Sequence, residues 1–122
     1  MSNIDDLRAI MSRFPETVET TWYGTLAFKA GGKGLCRFWG ERELERAGIT
    51  DSEVLVLACE EARAEMLAEA EPHIFFRTPH YHGSNWVLVR LEHIDVEDLE
   101  DMLEDAWRRV APAKLRKSYG GL

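Results

Sequence analysis

The dipeptide Gly31-Gly32 constrains the fold of this chain more than any other feature. It separates two strand-like runs, 25–30 and 33–39, and glycine readily takes the positive φ that a two-residue hairpin turn requires. In the first run Leu26 and Phe28 fall on one side while Ala27 and Lys29 fall on the other. That alternation is the mark of a strand with one buried face. Gly34, just past the turn, suits a bulge. An antiparallel hairpin over 25–39 is therefore expected.

The segments around it extend this reading. Ile4, Leu7, Met11 and Phe14 recur at helical spacing, so a helix is expected over 3–13, capped by Ser2 or Asn3 and stopped by Pro15. Residues 17–22 are rich in Thr and Val and read as a strand that Gly24 ends. Residues 40–52 are highly charged; one or two helical turns over 42–47, closed by Gly48, would make a solvated excursion between strands. Residues 54–59 are continuously apolar, as in a central strand buried on both faces. A helix over 60–70 would face Ala62, Met66, Leu67 and Ala70 inward and end at Pro72. A short extended piece, 73–77, precedes a turn over 79–85 and a strong strand over 86–91. The last helix, 95–110, would bury Val96, Leu99, Leu103, Ala106 and Val110, with Trp107 widening the stripe. Runs of strands joined by tight turns favour an α+β domain, an antiparallel sheet packed by helices on one face.

A chain of 122 residues fits one domain, expected over 1–113, followed by a tail, 114–122, expected to fray. No apolar run reaches the roughly 20 residues that a membrane helix needs. The acidic start, Asp5 and Asp6, is unlike a signal peptide, so the expected location is cytoplasmic. Cys36 and Cys59 lie in apolar runs outside any CxxC pair and read as buried thiols. A net charge of −7 disfavours phosphate binding unless the bases are segregated. They are partly so. Residues 92–105 hold eight acids and no Lys or Arg, whereas 108–117 hold five bases and no acid. Complementing a helix macrodipole explains much of that pattern, and touching phosphates is the alternative.

Motifs for catalysis are weak. His80-Tyr81-His82, with His73 nearby, lacks zinc-site spacing and an HExxH helix, so no metal and no cofactor are expected. Ser84 lacks the flanking glycines of a nucleophile elbow. The glycines at 31–34 lack the GxxxxGK[ST] frame of a phosphate loop. Aromatic residues are the remaining theme. A sheet face left open by the helices would display Trp22, Trp39 or Trp86 among Lys29, Arg37 and Arg90.

Three segments resemble the MmcQ/YjbR family. They are Trp22-Tyr23-Gly24-Thr25-Leu26-Ala27-Phe28-Lys29 before a glycine turn, Phe76 through Thr78-Pro79-His80-Tyr81-His82-Gly83 to Trp86-Val87-Leu88-Val89-Arg90-Leu91, and Leu103 through Ala106-Trp107-Arg108 and Val110-Ala111-Pro112 to Lys114-Leu115. The resemblance implies a YjbR-like α+β fold, similar to secretion-chaperone-like or frataxin-like sandwiches. It also implies DNA binding through a double-wing arrangement of hairpins. The wing residues it implies are Lys29, Lys33 and Arg37 on the first hairpin, with His80, Tyr81, His82 and Arg90 on or beside the second element; by charge alone, the basic end of Arg108, Arg109, Lys114, Arg116 and Lys117 would add phosphate contacts.

The leading expectation is thus a non-enzymatic binding module with DNA as its implied partner. The alternative is a protein-interaction or small-ligand module using the open sheet face and the 78–90 rim, through Tyr81, His82, Trp86 and Arg90.

Overall fold

The structure is a computed structural model and describes residues 1–119. In chain order its elements are α1 (Ile4–Met11), β1 (Thr17–Trp22), β2 (Thr25–Ala30), β3 (Lys33–Phe38), α2 (Glu41–Ala47), β4 (Val54–Ala58), α3 (Glu61–Ala70), β5 (Phe75–Phe76), β6 (Trp86–Arg90), α4 (Val96–Val110) and α5 (Ala113–Ser118). The strands form one six-stranded antiparallel sheet in the order β1-β2-β3-β4-β6-β5.

Both early turns are tight hairpins. Gly31 and Gly32 take φ of 56° and 82°, as their sequence requires, and Tyr23 and Gly24 take 56° and 77°. Positive φ at both central residues matches the right-handed twist of the flanking strands. The expected bulge is present. Phe28 faces Cys36 but Lys29 faces Gly34, so Leu35 is the extra residue on β3.

Strand alternation sorts the side chains to two faces. Phe28, Cys36, Leu57 and Val87 make one row across the sheet, and Phe38, Leu55, Val89 and Phe75 a second. These rows pack against Leu7, Ile10 and Met11 of α1 and Leu99, Leu103 and Trp107 of α4. Burying side chains of this kind contributes roughly 2 kcal/mol each. Trp107 is fully buried, stacks on Phe14, and donates from Nε1 to the Pro15 carbonyl at 3.2 Å. Its one polar atom is thereby satisfied. The opposite face has a smaller apolar cluster of Trp39, Ile49, Val54, Val56 and Leu88, bordered by Leu44 of α2 and by Tyr81.

Helix ends follow their caps. Asn3 accepts from the Asp6 N–H, and the Asp6 carboxylate accepts from the Asn3 N–H, a reciprocal capping box. Gly48 closes α2 in the left-handed conformation with φ of 70°. Cys36 and Cys59 are buried free thiols, and burial pushes the Cys36 thiol up to about 12.

Two details differ from the sequence reading, and a third concerns the C-terminal tail. On α3 the buried residue is Ala64, with Leu67 partly packed, while Ala62, Met66 and Ala70 are exposed. Alanines and acids around this helix leave no dominant apolar stripe from which a face is read. Val96 is exposed, because it opens α4 before the helix reaches the core. Within the tail expected over 114–122, α5 runs as far as Ser118, with Leu115 and Tyr119 packed on the core. Tyr119 lies against both Phe14 and Trp107, a long-range contact that local sequence does not display. The part of that expectation covering 120–122 lies outside the described residues.

The hairpin tip is what α5 docks on. A Cβ on Gly31 would sit 2.6 Å from Pro112 Cδ, whereas one on Gly32 would meet nothing within 4 Å. Gly31→Ala is therefore expected to destabilise by about 2 kcal/mol and Gly32→Ala by about 1 kcal/mol, read from urea midpoints. Equal losses would contradict the docking.

Candidate functional site

The open face of the sheet carries a cleft of about 670 Å³. That volume is in the range of small-molecule sites. Its floor is Val56 and Arg37, and its walls are Trp22, Tyr23, Trp86 and Tyr81, with His80, Ser84 and Glu43 on the rim. Residues from β1, β3, β4, β6, α2 and the 3-10 turn Pro79–Tyr81 are thereby brought together.

Arg37 is the unusual member. It sits mid-strand on β3, between Ala27 of β2 and Val56 of β4, and is only 8% exposed. A buried guanidinium is tolerated only when paired and hydrogen-bonded. Glu43 of α2 supplies the pairing through two bonds, Nη1 to Oε1 at 3.2 Å and Nη2 to Oε2 at 2.8 Å. Nη1 also donates to the Phe38 carbonyl at 3.0 Å, and Nη2 to the Tyr81 hydroxyl at 3.4 Å. Burial works against the Arg37 charge, but the Glu43 carboxylate more than offsets it, so the guanidinium is held above its usual range. The Arg37 hydrogen bond in turn holds the Glu43 carboxyl below the usual carboxylate range. Glu43 also accepts from the Gly40 N–H at 2.9 Å, which ties the pair to the start of α2.

The aromatic walls are packed with equal definition. The Trp22 ring lies 5.9 Å from that of Trp86 at 63°, an edge-on contact, and Tyr23 stacks on Trp22 at 5.7 Å. Trp22 reaches this position across Gly34, where an added Cβ would collide with the ring. The Arg37 guanidinium sits 5.3 Å from the Tyr23 ring centroid. Arg77 fixes the far rim, donating from Nη2 to the carbonyls of Tyr81 at 2.6 Å and Ser84 at 2.8 Å. A second cleft, about 490 Å³, continues past Tyr81, His80 and Glu43 to Trp39, whose buried Nε1 has no acceptor among the described residues.

The residues singled out from sequence are distributed in three places. Arg37, Tyr81 and Trp86 meet in the cleft; His82 is exposed outside it, and His80 takes the rim position instead. Arg90 lies on β6 with its guanidinium 4.5 Å from the Phe76 ring, away from the first hairpin. At the hairpin tip Lys33 is exposed and Lys29 half-buried; Lys114 lines a hollow with Gly31 and Pro112, and Lys117 is exposed on α5. Arg108 is bound to Glu104, Arg116 donates to the Arg108 carbonyl at 2.9 Å, and Arg109 is exposed on α4. The placement of Arg37 differs from a wing base, since its Nη atoms face Glu43, Phe38 and Tyr81 instead of solvent.

Sequence reasoning missed Glu43, Arg77 and Tyr23. Glycine followed three residues later by Glu, at Gly40 and Glu43, is a helix-start pattern that singles out Glu43. Nothing local distinguishes Arg77. For metals, no group of three or more His, Cys, Asp or Glu side chains among the described residues is placed to hold an ion. No helix among them is long and apolar enough to cross a membrane.

Fold and cleft together define an α+β domain with a helix-packed face and an open aromatic face. The chain belongs to the YjbR family, whose model matches residues 12–109. It is 32% identical over 127 residues to uncharacterised proteins Mb2600 of Mycobacterium bovis and Rv2570 of Mycobacterium tuberculosis, covering 98% of this chain and 96% of theirs. A crystal structure of Deinococcus radiodurans protein DR2400, of domain family DUF419, superposes with a TM-score of 0.75 at 24% identity, covering 100% of this chain and 96% of that one. A Pseudomonas syringae protein superposes with a TM-score of 0.70 at 14% identity, covering 88% and 98%. Both establish the shared fold.

The depressed Glu43 fixes a pH dependence. A carboxyl held low when folded stabilises the protein above its unfolded value, near 4.5, and that contribution is lost as pH falls through the lower folded value. Glu43→Gln is expected to lower stability by about 1–3 kcal/mol at pH 7, and by much less under acid conditions. Urea denaturation at pH 7 and pH 3 checks this; a loss independent of pH would contradict it.

Proposed function

We propose that this protein is a non-catalytic binding module that takes its ligand or partner in the aromatic cleft on the open sheet face. The observation carrying this reading is the convergence of Trp22, Tyr81 and Trp86 around a buried arginine whose charge Glu43 cancels. Rigid aromatic side chains contribute large contact area at low entropic cost and dominate binding hot spots. The ion pair and the Arg77 bonds hold those rings in place before any ligand arrives, which lowers the ordering penalty on binding. Native mass spectrometry of protein purified without tag or chelator tests the reading. A non-covalent adduct is expected, and Trp86→Ala, folded by circular dichroism, is expected to lose it. Identical spectra for the two proteins would sink the idea.

Duplex DNA is the second reading, favoured by one separate observation. Contact of Gly31 with Pro112 brings Lys33 of the hairpin tip and Lys114 of α5 to the same end of the molecule. Lys29 and Lys117 would add to such a patch, while Arg37 would take no part. Affinity should then fall with salt by roughly 0.9 log units per phosphate contact per decade, and Lys33→Ala with Lys114→Ala should flatten the slope by about 2. Fluorescence anisotropy with a labelled duplex checks this, and no binding at about 20–50 mM salt would exclude it.

A further inference from the structure

Tyr23 occupies a position that its residue type does not suit. Its φ of 56° is left-handed, and it forms a two-residue turn with Gly24, where Asn-Gly is the preferred pair. A bulky L-residue is strained there. The side chain is also 79% exposed, so little burial offsets that strain. What the conformation achieves is placement: the ring forms part of the cleft wall, stacked on Trp22 and with its centroid 5.3 Å from the Arg37 guanidinium. Strain that stability does not explain is most economically read as serving the site.

The lining also restricts what the site accepts. Arg37 is its one Lys or Arg and is bound by the carboxylate of Glu43, which is its one acid. A phosphate or carboxylate entering would find no uncommitted Lys or Arg in that lining, and an ammonium ion would meet Arg37. Besides Val56 and Ser84, the remaining lining residues are the aromatic Trp22, Tyr23, His80, Tyr81 and Trp86, and aromatic rings stack on flat π-systems with little dependence on substituent.

Resting on the cleft reading above, we propose that Tyr23 is a ligand-holding residue, kept in a strained turn to close the cleft over an uncharged planar heterocycle of the nucleobase type. The test combines tryptophan-fluorescence titration with thermal unfolding, using adenosine and uridine beside their 5′-monophosphates. Saturable quenching by at least one nucleoside is expected, with its monophosphate binding no more tightly. Tyr23→Asn should weaken that binding by about tenfold to a hundredfold, the scale of losing one stacking ring. Its Tm should hold or rise by about 2–5 °C, since Asn-Gly suits the turn.

A lower Tm with unchanged affinity would overturn the proposal and make Tyr23 a structural residue. Tighter binding of the monophosphates would overturn it by revealing an anion site. Absence of nucleoside binding, while Trp86→Ala still removes a native adduct, would overturn the ring chemistry and leave the cleft reading standing. Absence of both would remove the two together.

Discussion

The buried pair of Arg37 and Glu43 organises the open face of this molecule. A guanidinium on a central strand between Ala27 and Val56 is a destabilising choice on its own, because desolvation opposes its charge. Once made, that choice dictates much of the surroundings. Glu43 must reach the sheet, so α2 has to begin at Gly40 and lie across the end of β3. Tyr81 must bring its hydroxyl to the same guanidinium, and Arg77 anchors the Tyr81 carbonyl to permit it. An excursion and a turn that otherwise share no apolar core with the helical face are thereby held to the sheet.

The other wall follows from backbone geometry. Tight turns at Tyr23-Gly24 and Gly31-Gly32, with a bulge at Leu35, give the first three strands strong twist. Trp22 crosses Gly34 to meet Trp86 of β6, although β2, β3 and β4 separate their strands within the sheet. Gly34 thus serves packing more than turning, since any side chain there would displace the ring. Two unrelated devices, an ion pair and a glycine step, shape one cleft.

Much of this architecture is legible in the sequence. Gly31-Gly32 announces its hairpin, the apolar run at Val54–Ala58 its central strand, and Asn3, Pro15 and Gly48 their helix boundaries. Each rests on local chemistry that one sequence displays. The face of α3 is not legible, because its alanines and acids define no stripe, and α5 is not, because its stabilising contacts are to Gly31 and Phe14 far along the chain. The candidate site is legible as a list but not as a geometry. Tyr81, Trp86 and Arg37 stand out by residue type, yet alternation alone cannot say that Arg37 is buried and paired. Spacing from Gly40 marks Glu43, not its neighbours at 41 and 45, as the acid at the helix start, but only the fold reveals that it also reaches Arg37 on the sheet.

The central claim is that Arg37 is committed inside the protein and its charge is not offered to a partner. Side-chain ¹⁵N–¹H spectra of the Arg37 guanidinium test this most directly. Fixed bonds to Glu43 and Phe38 predict resolved, non-equivalent Nη signals with slow rotation, unmoved by inorganic phosphate or duplex DNA. Averaged Nη signals that shift saturably on adding either anion would contradict the account.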